Sequence, residues 1–217
     1  MRILKINLHS DYDKQLHEAL DVLRKGGTVV YPTDTIYGLG CNALDYKAVE
    51  TVYRIKDRPL EKPLSIIARN IDWVKELAVV PTKLEPILQK LWPGAITVIL
   101  PKKSSIPSVV TGGSDSVGIR VPDFEFTEKL LGKFGYPIVS TSANMAGSDT
   151  DSWKISAVIE DFKPRMWQPD LVLDAGDLHR SAPSTVIDFT AIKPKILRMG
   201  AVKPSQIDTI LNINLSK

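Results

Sequence analysis

The chain has 217 residues, 43% of them hydrophobic, with 28 lysines and arginines against 25 acidic residues and a net charge of +3. This is ample material for one core, and no Ser/Gly-rich linker, composition shift, low-complexity run or internal repeat divides it, so a single domain over 1–217 is expected. The mild charge argues against a dedicated duplex-binding protein, the single cysteine, Cys41, excludes an intramolecular disulfide, and no run approaches the roughly 18 apolar residues that span a bilayer.

MRILKINL reads as a first strand; it lacks the longer apolar core and cleavage site of a signal peptide, so a soluble, cytoplasmic chain with no membrane partner is expected. Ser10 can cap a helix running to about Lys25, with Leu16, Ala19, Leu20 and Leu23 on one face, and Gly26-Gly27 ends it. Residues 28–31 form a short buried strand. Asp45 caps a helix through Ile55 with the stripe Ala48, Val49, Val52 and Tyr53. A strand over 64–67, helices over 71–78 and 83–91, a turn at Trp92-Pro93-Gly94 and a strand over 96–100 follow. After a strand over 117–121, Asp123 caps a helix with Phe126, Leu130, Leu131 and Phe134 inward. The chain closes with a buried strand over 138–140, a helix near 153–162, strands near 171–174, 185–189 and 195–198, and a helix over 204–211. Strands and helices alternate without steady βαβ units, and strands crowd toward the C-terminus. The expected class is α/β (α+β) with a mixed parallel/antiparallel sheet.

The common phosphate loops are missing: there is no GxxxxGK[ST], and Gly38-Leu39-Gly40 is too short for a dinucleotide fingerprint. Any nucleotide must therefore be held from dispersed positions. Thr33, Asp34 and Thr35 follow Pro32 where a strand should end, and Lys56, Arg58 and Lys62 gather within seven residues around Pro59 and Pro63. Hydroxyls beside fixed cations suit a small polar substrate and a polyphosphate together, which points to an enzyme working on ATP. The bland alternative is a solvated helix end whose cations complement the dipole. Ser140, Thr141, Ser142 and Asn144 offer hydroxyls and an amide to an adenine, ribose or α-phosphate, or else simply make a turn; Gly147, Ser148 and Thr150 extend a polar loop over them. Arg120 lies in an apolar run and needs a carboxylate or phosphate partner, so a structural ion pair and a substrate grip stand as equal readings. Arg198 ends an apolar strand before Gly200, within reach of phosphate. Asp34 as a Mg²⁺ contact competes with a turn-stabilising role, and His9, His17 and His179 have no ligand spacing. No protein metal site is expected; Mg²⁺ would arrive with ATP.

PTDTIYGLG at 32–40, KDRPLEKPL at 56–64, SVGIRVP at 116–122, STSAN at 140–144, PSTVIDF at 183–189 and LRMG at 197–200 stand in the order of the YrdC-domain family, which the chain resembles over about 26–200. The resemblance implies a twisted mixed sheet flanked by helices, with a concave basic face. It implies synthesis of threonylcarbamoyl-AMP and pyrophosphate from L-threonine, bicarbonate or CO₂, and ATP. The product would pass to a separate tRNA threonylcarbamoyl transferase complex for threonylcarbamoyladenosine modification. By position, Lys56 and Arg58 would be catalytic, and Arg58, Lys62, Ser116, Ser142, Asn144, Thr150 and Arg198 would contact ATP. Thr35, Arg120, Ser140 and Ser184 would hold threonine. Two departures stand out: Ile67 replaces a histidine that helps hold threonine in one subgroup, and the sequence leaves no room for the second domain of longer members. Three rivals stand beside this. One is a divergent paralogue without threonine activity, although such relatives depart from the K-x-R and S-x-N motifs kept here. Another is an RNA-binding module retaining tRNA weakly on its basic face, which the near-neutral charge and lack of aromatic interleaving disfavour. The third is carbamoyl-AMP formation, as in a larger maturation enzyme.

Overall fold

The computed structural model describes residues 1–191 and 193–211. In chain order the elements are β1 (Arg2–Lys5), α1 (Asp13–Arg24), β2 (Val29–Tyr31), β3 (Gly38–Gly40), α2 (Tyr46–Lys56), β4 (Ser65–Ile67), α3 (Ile71–Leu77), α4 (Glu85–Leu91), β5 (Ile96–Pro101), β6 (Ser116–Arg120), α5 (Glu125–Phe134), β7 (Ile138–Ser142), α6 (Ile155–Phe162), β8 (Leu171–Asp174), β9 (Thr185–Asp188), β10 (Lys195–Arg198) and α7 (Pro204–Leu211). The strands form one ten-stranded sheet in the order β1-β8-β2-β3-β7-β4-β6-β5-β9-β10. Its pairings are mixed: β4 runs parallel to β6 but antiparallel to β7, and β5 runs parallel to β9 but antiparallel to β6. The mixed sheet expected from the sequence is present. Among the described residues no helix is long and apolar enough to cross a membrane.

The two faces of the sheet are treated differently, and this creates the site. Successive side chains of a strand point to opposite faces. Val30, Leu39, Ile66, Val98, Ile119, Val139, Val172 and Ile187 share the face packed by α2, α3, α4, α6 and α7 through such residues as Val49, Val74, Leu88, Val158 and Ile207. On the other face, Val29, Tyr31, Leu171, Leu173, Ile67 and Ile138 pack under α1 and α5. Those two helices cover one end of the sheet. Past Ile67 and Ile138, the second face of β4, β5, β6, β7 and β9 lines a cavity and carries polar side chains such as Ser65, Thr97, Arg120 and Ser140.

Local signals place several elements. Asp45 accepts from the backbone N–H groups of Lys47 and Ala48 at 3.0 and 3.1 Å, the N-cap expected for α2. Two expected caps are not made. Tyr12, not Ser10, stands at the N-cap of α1, and the Ser10 hydroxyl donates to the Asn7 carbonyl. Phe124 stands at the N-cap of α5, while the Asp123 N–H faces Asp34. Both helices begin later than those positions, at Asp13 and Glu125, which leaves the expected capping oxygen out of reach. β3 was not foreseen, because glycine weakens a strand. Here it is required: a Cβ on Gly40 would lie 2.2 Å from the Val139 carbonyl, and one on Gly38 would meet the Tyr31 ring at 3.2 Å.

Candidate functional site

The open face bounds a cavity of about 320 Å³ whose floor includes Ser65, Ile67, Thr97, Ile99, Arg120, Ser140 and Ser142. Ser65, Thr97, Arg120 and Ser140 each stand next to a core residue of their strand, Ile66, Val98, Ile119 or Val139, so the alternation that builds the core also presents the polar part of the floor. Gly118 keeps that floor low, since a Cβ there would come 2.7 Å from Ser65 Oγ.

One end of the cavity is rich in hydroxyls around Arg120. Thr33 Oγ1 donates to the Ile36 carbonyl at 2.7 Å and accepts the Thr35 N–H at 3.1 Å, which fixes the turn after β2. Thr35 Oγ1 then accepts from Arg120 Nη1 at 3.0 Å. Arg120 Nε donates to the Gly94 carbonyl at 2.9 Å, and Nη2 pairs with Asp34 Oδ1. The structural ion-pair reading of Arg120 is met. It has a structural carboxylate partner, yet only three of its five N–H donors are engaged, and it still lines the cavity. Asp34 is neither a turn-former alone nor free to hold a cation; its carboxylate serves Arg120 and the Asp123 N–H. Across the floor, Ser184 Oγ lies 2.8 Å from Thr97 Oγ1.

The other end is cationic. α2 stops at Asp57, whose left-handed φ of 50° turns the chain so that the Arg58 N–H bonds the Tyr53 carbonyl at 3.0 Å. Arg58 is then steadied by its own loop, with Nε on the Lys62 carbonyl and Nη2 on the Pro63 carbonyl. Arg198 reaches in from β10 and donates to the Ser184 carbonyl at 2.8 Å. Among the described residues neither Arg58 nor Arg198 makes an ion pair. Partial burial, and then the neighbouring charges of Arg120 and Arg58, pull the Arg198 guanidinium below its ordinary value. Converging arginines without carboxylate partners have donors and charge to offer an anion.

Four expected roles change. Lys56, expected to be one of the catalytic cations, is only 2% exposed, and its Nζ donates to Ser142 O at 2.6 Å, Asn144 O at 2.5 Å and Asn144 Oδ1 at 3.3 Å. Those bonds occupy all three of its donors, so it clamps the loop after β7. The Lys62 side chain is exposed and off the cavity lining, contributing its carbonyl instead. Ser116 also lies off the lining, 3.0 Å from Ser114 Oγ. Thr150 faces away to Asp161 at 2.8 Å. The fold brings Thr35, Lys56, Arg58, Arg120, Ser140, Ser142, Asn144, Ser184 and Arg198 together around one cavity.

Sequence reasoning missed Thr97, Thr33 as a turn lock, and Asp161. A lone hydroxyl in the apolar run ITVIL was the available signal for Thr97. Asp161 gave none, because its partners, the Met145 N–H and Thr150 Oγ1, are more than ten residues away. No group of three or more His, Cys, Asp or Glu side chains among the described residues is arranged to hold a metal ion.

The family model for Sua5, YciO and YrdC, described as telomere recombination, matches residues 21–200. The chain belongs to this family. It is 36% identical over 194 residues to the threonylcarbamoyl-AMP synthase of Pyrococcus abyssi, covering 89% of this chain and 56% of that protein. It is 33% identical over 204 residues to the threonylcarbamoyl-AMP synthase of Bacillus subtilis, covering 93% and 58%. The crystal structure of P. abyssi Sua5 complexed with L-threonine superposes with a TM-score of 0.89 at 33% identity, over 97% of this chain and 61% of that one. The chain thus spans a little over half the length of these relatives.

Proposed function

We propose that this chain is a nucleotidyltransferase that forms threonylcarbamoyl-AMP. The neutral threonine amine takes up CO₂ with release of a proton to solvent, or bicarbonate with loss of water, to give a carbamate. A carbamate oxygen then attacks the α-phosphorus of ATP, the bond to the bridging oxygen breaks, and pyrophosphate leaves. The observation that carries this reading is the joining of two unlike ends in one cavity: hydroxyls around a half-engaged Arg120, beside Arg58 and Arg198 without carboxylate partners. Correspondence with a fold seen complexed with L-threonine supports the first end as the amino-acid subsite.

In this reading Arg120, Thr35, Ser140 and Ser184 orient the amino acid, while Arg58 and Arg198 neutralise charge developing on the leaving pyrophosphate. Ser142 and Asn144, fixed by Lys56, offer uncharged contacts to the nucleotide. No step requires a side chain to exchange a proton. Among the described residues no cluster of carboxylates is arranged for magnesium, and Asp34 is engaged by Arg120; Mg²⁺ would enter on the phosphates of ATP. The mixed anhydride would be consumed by a separate transferase acting on tRNA.

The test is pyrophosphate release from MgATP and bicarbonate with L-threonine, L-serine or no amino acid. Threonine-dependent release that falls roughly 10²-fold in Arg58→Ala is expected. Turnover in Arg58→Ala equal to that of the parent would overturn the site, and no release with any amino acid would overturn the reaction.

A further inference from the structure

Tyr31 carries the one buried side-chain oxygen among the described residues that has no hydrogen-bond partner. The side chain is 0% exposed at the end of β2, and burial pushes its hydroxyl far above its ordinary value. An unmet buried hydroxyl is costly and rare enough to require a cause. Its surroundings supply one. The ring lies across the two glycines of β3, and its oxygen sits 3.3 Å from where a Gly38 Cβ would stand. Gly38 itself lines the cavity, so the absence of a side chain there brings the hydroxyl up beneath the cavity wall. The Ser140 hydroxyl lies beside it without closing a bond of proper geometry, and it lines the cavity.

We propose that Tyr31 is a positioning residue for the amino-acid subsite, its hydroxyl setting the rotor of Ser140 when substrate is bound. The proposal rests on the threonine reading above. A hydroxyl that donates to Ser140 leaves the Ser140 proton pointed into the cavity, toward an oxygen of the substrate. Without substrate neither hydroxyl has reason to hold that orientation. The phenol oxygen therefore remains unmet in the free protein, and removing it should not weaken the fold.

Tyr31→Phe separates this role from a packing role. The expected result is a thermal midpoint equal to or above that of the parent chain, a KM for L-threonine raised about five- to tenfold, and an unchanged KM for ATP. In a Ser140→Ala background the same change should have no further effect, because the partner is gone. A threonine KM within twofold of the parent, or an equal penalty with and without Ser140, overturns the proposal while leaving the synthase reading intact. A parent chain without threonine-dependent pyrophosphate release overturns the synthase reading and this proposal with it.

Discussion

An ammonium removed from water is tolerable when its N–H donors are met, and Lys56 finds Ser142 and Asn144 oxygens for all three. Burial, with the charge of Arg58 beside it, nevertheless pulls it down to about 7. In the unfolded chain a lysine titrates near about 10.4. Between those values the unfolded state holds a proton that the folded state lacks, so this group's contribution to stability is full above the unfolded value and is lost as pH falls toward 7. Cys41 acts oppositely: its buried thiol is pushed up, so its contribution is lost as pH rises past an unfolded value of about 8.5. Urea midpoints should therefore climb between pH 7 and about pH 8.5, by at most ~1.4 kcal/mol per pH unit from this lysine. Lys56→Met should flatten that climb and, by stranding three oxygens, cost about 1–3 kcal/mol at pH 8.5. An equally steep climb in the variant would show that Lys56 is not the titrating group. Of the site residues, Arg58 and Arg198 were legible in the sequence as cations at a helix end and a strand end, and the fold sets both on the cavity lining. The clamp made by Lys56 was not legible, because the same residue type serves equally as a ligand or as a clamp and only burial and partners show the clamp.

The loop between β7 and α6 is held from both sides. Lys56 grips it at 142–144, and Asp161 of α6 takes the Met145 N–H at 2.9 Å and Thr150 Oγ1 at 2.8 Å. The Lys56 carbonyl adds a bond from the Ala146 N–H at 2.9 Å. Two elements distant in sequence thus fix one loop that presents Ser142 and Asn144 to the cavity. Asp161→Asn keeps the shape but weakens the acceptor, and about 1–2 kcal/mol of stability should go with it. Enzyme assays should show a raised KM for ATP and an unchanged KM for threonine; a shift in the threonine KM alone would mean that the loop belongs to the other end. At this scale the helices were well read, since their apolar stripes repeat at 3.6 residues and Asp45 stands one residue before its helix. β3 was not, because its glycines answer to the Tyr31 ring and the Val139 carbonyl across the sheet rather than to any local preference.

The whole molecule is a sheet whose second face is covered at one end by α1 and α5 and left bare at the other. A cavity formed before the substrate arrives should bind without refolding, so ligand binds the native state alone and stabilises it by mass action. L-threonine at about 100 times its Kd should add about 2.7 kcal/mol, raising the midpoint by roughly 5–10 °C for a chain of this size. Absence of any shift with threonine, beside a clear shift with ATP, would remove the amino-acid subsite from the hydroxyl-rich end. The amino-acid sequence by itself determined the order and kind of most elements, the mixed character of the sheet, and the set of hydroxyls and cations available, because periodicity and motif are written within a few residues. The tertiary structure alone decided which cations face the cavity, which one is buried as a clamp, how Asp34 divides Arg120 between fold and site, and that one phenol oxygen is left unmet beneath the floor. Those outcomes depend on donors and acceptors brought together from distant strands, and no local pattern encodes who will satisfy whom.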